Sequence, residues 1–448
     1  MNGVSLENNS NNITKLPKKE LFIIMVIFIS EISSLIYISP FLTFMIQGFG
    51  IKEKDVGYYA GGIISSFMIG QFISNFIWGK ISEKIGIKPV ILIGLFSTSV
   101  CTILFGFSNN IYMPFIIRFL GGLFTGNLGV TKTYLYLITD KTNEAIGFAM
   151  LPVGMCIGAT AAPAIGGLLA NPRELWPNQI DDSHIFSKYP YLLASIVISI
   201  IPIFGFLVGY IFINEPYKNN DINSINIIEN DTNNKIYNKN IIITILIYFN
   251  MRMSSLGSES IIPLLQATSK KNKGLELTSK NIGVNLMISA IFLAIFSIMV
   301  IPKLKNRYGT LKLFKCAQLL SPFTNVSISI LSDLRYLLNP IELSVVTIIL
   351  IIIRGSVITI TVILINLLIN NSTEKKYIGR INGISQSFAA LGSAIGPALS
   401  GILFAWSISN NINFPFDVHF SFIIFSLFSC INIIIINYVD NSITNRIE

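Results

Sequence analysis

Charge is scarce in this chain. Of 448 residues only 12% are Asp, Glu, Lys or Arg, about half the share of a soluble domain, while 52% are hydrophobic. Cysteine is limited to four residues, Cys101, Cys156, Cys316 and Cys430, spread far apart in apolar surroundings. That spacing offers neither a disulfide framework nor a metal motif. Histidine is scarcer still, with only His184 and His419. A zinc site needs three or four close Cys, His or carboxylate ligands, so direct zinc binding is not expected. No G-x-S-x-G or histidine cluster points to an intramembrane enzyme. No filter-like loop or ring of charges points to a channel. A non-transporting sensor would carry a further soluble domain, whereas the predicted tails are short.

What is present is long apolar runs. LFIIMVIFISEISSLIYISPFLTFMI at 21–46 and IIITILIYFNMRMSSLGSESIIPLLQ at 241–266 are examples. About 20 residues of helix cross a hydrocarbon core of about 30 Å. In lipid the backbone must satisfy itself, so such runs are helices. Twelve spans are predicted: 21–46, 57–78, 89–108, 111–137, 145–169 and 190–213, then 241–266, 281–301, 311–331, 343–369, 379–406 and 418–439. A signal peptide is excluded, because the first run is too long and has no cleavage pattern.

The net charge of +9 is placed for topology, and nucleic acid is not an expected partner. If the N-terminus is cytosolic, the loops after spans two, four, eight and ten hold twelve Lys or Arg, and the six opposite loops hold nine. Four of those nine lie in KKNKGLELTSK, an exception with no account. The bias places both termini in the cytosol. It is compatible with a plasma membrane or an internal, vacuolar membrane.

One polar interruption, EPYKNNDINSINIIENDTNNKIYNKN, divides the chain. The organisation is therefore a cytosolic tail (1–20), a six-helix bundle (21–214), an Asn-rich linker (215–240), a second bundle (241–440) and a cytosolic tail (441–448). The halves look like repeats. GATAAPAIGG in span five, with Gly158, Pro163, Gly166 and Gly167, answers GSAIGPALSG in span eleven, with Gly396 and Pro397. Nearly the same offset carries Arg118 onto Arg354. A Ser-Glu pair recurs at Glu31 and Glu259, and the basic loop GKISEKIGIKPV recurs weakly as PKLKNRYGTLK. The expected fold is all-α: two six-helix bundles about a pseudo-two-fold axis along the membrane normal.

The loop with Gly79, Glu83, Lys84, Gly86, Lys88 and Pro89 resembles the signature loop of the major facilitator superfamily. It departs from the pattern in having Glu83 for the usual aspartate and Ile87 for a usual arginine. WGKISEKIGIKPVIL, RFLGGLFTGNLGVTKTYLYLITD, the Tyr-Pro-Tyr after ANPRELWPNQIDDSHIFSK, Glu259 to Pro263, and FPFDVHF resemble the zinc-induced-facilitator-like branch. That resemblance implies a transporter grouped with the drug–proton antiporters, with the signature loop acting as a latch between halves. It also implies that Arg118 faces a central cavity and that the Gly-Pro motif holds helices together.

Ionisable residues inside the membrane are functional candidates. Glu31 and Glu259 are predicted to couple protons or touch solute, with an ion pair between Arg252 and Glu259 as the alternative for the latter. Arg118 is predicted to hold a carboxylate in register, and Arg354 is its repeat partner. Lys132 is expected to reach for the cytosolic interface, Asp140 to cap a helix, and Asp417 and His419 to be structural. The leading expectation is a monomeric secondary transporter using no cofactor beyond a proton gradient and exchanging a small organic solute for protons. A uniporter or nutrient symporter is the alternative.

Overall fold

In the computed structural model, residues 18–125, 127–139, 144–176, 181, 184–215, 238–373, 378–410 and 412–440 are described. The predicted tails, most of the linker, Asp140, and the side chains of Gly79, Glu83 and Cys156 lie outside them. The described chain is helical, with no strand. The first half comprises α1 (Lys18–Ile36), α2 (Leu42–Gly48), α3 (Val56–Ile85), α4 (Ile87–Gly106), α5 (Tyr112–Phe124), α6 (Asn127–Ile138), α7 (Glu144–Leu168), the short α8 (Pro172–Leu175) and α9 (Ile185–Lys188), and α10 (Leu192–Phe212). The second comprises α11 (Lys239–Ala267), α12 (Ser279–Met299), α13 (Ile301–Tyr308), α14 (Thr310–Ser329), the short α15 (Leu331–Leu334), α16 (Pro340–Asn371), α17 (Ile378–Ser409) and α18 (His419–Ile435).

Nine helices among the described residues are long and apolar enough to cross a membrane. The predicted spans at 21–46 and 311–331 fall short because α1 carries Lys19, Glu20 and Glu31, and because Lys312, Lys315 and Gln318 dilute the apolar run of α14; the predicted span at 145–169 lies only partly within the described residues. Two predicted spans are broken. Span one stops at Ile36, because Pro40 has no N–H to continue the ladder, and resumes as α2. Span four leaves the helix at Thr125, where ψ is 77°, and restarts at Asn127.

The repeat is visible in the packing. α17 lies on α3, and α7 lies on α12. A Cβ on Gly61 would sit 3.0 Å from Gly401 Cα, and a Cβ on Gly283 would sit 3.0 Å from Gly167 Cα. Each Gly-Pro motif thus brings its helix onto the backbone of the opposite half, which only glycine allows at these points. The signature loop repeats as well: Gly86 (φ 95°, ψ 163°) joins α3 to α4, and Gly309 (φ 78°, ψ 162°) joins α13 to α14.

The core is continuous at one end only. Away from the termini, Tyr37, Phe41, Ile63 and Phe105 of the first half share one apolar cluster with Ile261, Leu265, Phe404 and Phe422 of the second. Toward the termini the clusters separate, with Ile24, Phe28 and Leu95 in one half and Ile245, Phe314 and Leu368 in the other. The two bundles therefore share one apolar core at the loop end, whereas toward the termini, among the described residues, each bundle packs an apolar core of its own. α6 touches α3 and α7, and α16 touches α12 and α17.

Candidate functional site

The two predicted arginines occupy matching places. Arg118 on α5 is buried and donates from Nη1 to the Ser34 carbonyl (2.8 Å) and from Nη2 to the Leu35 carbonyl (3.2 Å), with its guanidinium 4.4 Å from the centre of the Phe67 ring. Those carbonyls are free because α1 ends at Ile36 and the chain turns away. Arg354 on α16, also buried, donates from Nη2 to the Ser255 carbonyl (3.0 Å) and Ser258 Oγ (2.5 Å), and from Nε to Asn325 Oδ1 (3.0 Å). Backbone carbonyls, rather than the expected carboxylate, hold Arg118. Each arginine ties a fourth helix of its half to the first.

Beside each arginine lies a small hollow. One of about 20 Å³ is lined by Ser34, Tyr37, Thr98, Thr102 and Arg118. The other, of about 10 Å³, is lined by Ser254, Ser255, Gln318, Ser321 and Asn325. Each is about the size of a single water.

Glu31 lies one turn before Ser34 and is only 3% exposed. The Asn127 side chain, at the restart of span four, faces it. Asn127 is fully buried and fills the space over Gly94, where a Cβ would collide with the amide. Glu31 Oε1, both Asn127 amide atoms, Thr131 Oγ1 and Ser33 Oγ are buried without a hydrogen bond of good geometry. Orphan polar atoms on this scale are unusual in a packed interior. The carboxyl group of Glu31 and the facing Asn127 amide lie at a helix break, a setting suited to a proton or a water. Asn127 was not among the residues singled out from sequence; the available signal was a lone amide after Thr-Gly within an apolar run.

The other candidates stand apart from this cluster. Glu259 is exposed on α11, next to Ser258, whose hydroxyl accepts from Arg354. Arg252 is half-buried and donates from Nε to Ser393 Oγ at 3.2 Å, so the ion pair with Glu259 does not form. The predicted equivalence of Glu31 and Glu259 also fails. The match of Leu35 with Ser255, fixed by the two arginines, sets Glu31 level with Met251 and leaves Glu259 two turns further along. Arg118 and Glu31 belong to the first half, on α5 and α1, whereas Arg252 and Glu259 belong to the second, on α11.

In the signature loop, the start of α4 is capped by Glu215. Its two carboxylate oxygens accept the N–H groups of Ile87 and Lys88, each at 2.9 Å. A Cβ on Gly86 would meet that carboxylate at 2.6 Å.

Residues 21–397 match the Major Facilitator Superfamily profile. The chain belongs to this superfamily. It is 30% identical to the Arabidopsis thaliana protein Zinc Induced Facilitator-Like 1 over 412 residues, 87% of this chain and 85% of that one. It is 26% identical to an Aspergillus fumigatus major facilitator superfamily multidrug transporter over 478 residues, covering 86% and 78%. Its fold is similar to that of a D-xylose–proton symporter, with a TM-score of 0.75 at 11% identity over 97% of this chain and 100% of that structure. The branch implied by the Tyr-Pro-Tyr and FPFDVHF segments is among its relatives, and this major facilitator protein is a multi-pass membrane transporter.

Proposed function

We propose that this protein is a secondary active transporter that exports a small organic solute in exchange for protons. The observation that carries the reading is Glu31, a buried carboxyl group facing an unsatisfied amide at a helix break inside the first bundle. A carboxyl group so placed can take up or release a proton as the two bundles rock against each other and expose it to alternate sides. Placing the basic terminus-side loops in the cytosol makes the present state inward-facing. The membrane is the plasma membrane or an internal, vacuolar one, and the working unit is a monomer.

Proteoliposomes enclosing a pH-sensitive dye test the coupling. Small carboxylates and amines are added in turn, with and without an imposed pH gradient. At least one solute should change the internal pH, and Glu31→Gln should abolish that change while leaving solute binding intact. Flux indifferent to collapse of the proton gradient would make the protein a uniporter, and proton movement in the same direction as the solute would make it a symporter.

A further inference from the structure

The loop KKNKGLELTSK, which runs against the charge bias of the other loops, is folded at the loop end. It leaves α11 as a turn in which the Gly274 N–H donates to the Ser269 carbonyl (2.9 Å). The N–H groups of Leu275 and Leu277 donate back to the Leu265 and Gln266 carbonyls in the last turn of α11 (3.0 and 2.8 Å). Ser269, at the head of the turn, is the residue that the Glu53 carboxylate of the first half binds.

Two supports hold this turn to its own half. The Lys273 ammonium donates to Asp417 Oδ2 at 2.7 Å, and the Lys270 carbonyl accepts from the Tyr336 hydroxyl at 3.4 Å. Asp417 lies just before α18 and Tyr336 just after α15. One side chain ties the two supports together. His419, the first residue of α18, has Nδ1 2.6 Å from Asp417 Oδ1 and Nε2 3.2 Å from Asp333 Oδ2 on α15.

A neutral imidazole has one N–H and one lone pair, and only the protonated ring donates from both nitrogens. A carboxylate at each nitrogen is therefore fully served by the imidazolium alone. In the neutral ring the shorter, buried contact with Asp417 keeps the single N–H, and a lone pair is left against Asp333. The Asp333 side chain is 65% exposed, so water can take it over. Lys273 stands behind Asp417, and the Phe414 ring packs edge-on against the imidazole at 5.4 Å. Arg335, the cation next along from Asp333, is stacked on the Tyr336 ring, 4.1 Å from its centre. No other charged side chain bonds the ring among the described residues.

We propose that His419 is a pH switch on the loop end: protonated, it joins Asp333 to Asp417 and fixes the turn that holds Ser269 against Glu53; neutral, it releases Asp333 and loosens that turn. The contacts are complete below the titration of the ring and are lost as the pH rises through it. Acid on the side away from the termini thus favours the joined loop end, and alkali favours its parting. The inference rests on the two halves parting there during transport; it does not require Glu31 to carry a proton.

The full-length protein in lipid nanodiscs, spin-labelled at exposed Tyr112 of the first half and Lys280 of the second, tests the switch. Both sites are at the loop end and outside the network. From about pH 8 to about pH 5, the range in which histidine changes charge, the ratio of short to long distances should rise about two- to fivefold, as for one partly exposed ion pair. His419→Gln and Asp333→Asn should each flatten that response; the second alters an exposed side chain and keeps the test open if the first fails to fold. Glu31→Gln should retain it. The chain has only two histidines, so in His184→Gln the ring nitrogens seen by nitrogen-15 spectroscopy belong to His419, and both should carry protons at the acid end. Four results would overturn the inference: distances indifferent to pH, a response that survives Asp333→Asn, a response lost in Glu31→Gln, or a ring with one bare nitrogen throughout the range. If the response behaves as expected but flux ignores the proton gradient, the switch stands and the coupling falls.

Discussion

The carboxylate of Glu53, in the turn before α3, receives both the backbone N–H and the hydroxyl of Ser269, in the loop after α11, the latter at 3.0 Å. This contact joins the two halves at the loop end, and it must break for them to part there. Charge-assisted hydrogen bonds of this type contribute about 1.5–3 kcal/mol each. Glu53→Gln should therefore shift the population toward the opposite-facing state. Spin labels at Tyr112 and Ile412, both exposed, should report a longer and broader distance in this variant. An unchanged distribution would mean that the clasp is incidental.

The glycine pairs at the interface predict a symmetric result. A Cβ on Gly401 would press on Gly57 and Gly61, and one on Gly167 would press on Ser279 and Gly283, in both cases against backbone that cannot move aside. Overpacking of this type costs about 1–3 kcal/mol. Gly167→Ala and Gly401→Ala should each destabilise the closed end and slow transport severalfold, to similar extents. Gly48→Ala, with nothing within 4 Å, should be silent. Unequal effects would show that the two interfaces do different jobs.

Much of this was legible in the residues. Apolar length yields the spans, and the spacing of Gly and Pro reveals the repeat, because both are local patterns that lipid enforces. The break after Phe124 was not read, although Gly126 between Thr125 and Asn127 weakens a helix, because a single glycine in an apolar run is tolerated in most spans. The partner of Arg118 was hidden for a different reason. A side chain that bonds backbone carbonyls leaves no matching side chain in the sequence to find. Pairing Glu31 with Glu259 failed because two Ser-Glu dipeptides are too little to fix register.

At the loop end, Asp417 accepts from Lys273 Nζ at 2.7 Å and sits 2.6 Å from His419 Nδ1, while His419 Nε2 faces Asp333 at 3.2 Å. Burial alone would raise the Asp417 carboxyl, but the Lys273 ammonium and the His419 contacts outweigh it and hold the group below the ordinary 3.8. A carboxyl whose folded value is depressed adds stability above its unfolded value and loses it as the pH falls through the folded one. Asp417→Asn should lower the melting temperature at pH 7, and the gap to wild type should narrow once the pH drops below about 3.8. Combined with Lys273→Gln, the loss should be less than additive. A pH-independent gap would assign the effect to packing.

The signature loop carries the last prediction. In the present state it is bound to its own half: Glu215, just past α10, caps α4, and Lys88 Nζ lies 5.6 Å from the centre of the Tyr210 ring. A carboxylate at a helix start satisfies two free N–H groups and complements the dipole, worth about 1 kcal/mol. Glu215→Gln should therefore speed hydrogen exchange at Ile87 and Lys88 by a few-fold while leaving exchange deep in α4 unchanged. Gly86→Ala should cost more, because φ is 95° there and the new Cβ would meet the Glu215 carboxylate. These two penalties can be separated. In a Glu215→Ala background the collision disappears and only the backbone strain remains, so Gly86→Ala should cost less there than in the wild type. Equal costs in both backgrounds would leave backbone conformation as the whole reason for glycine at this position.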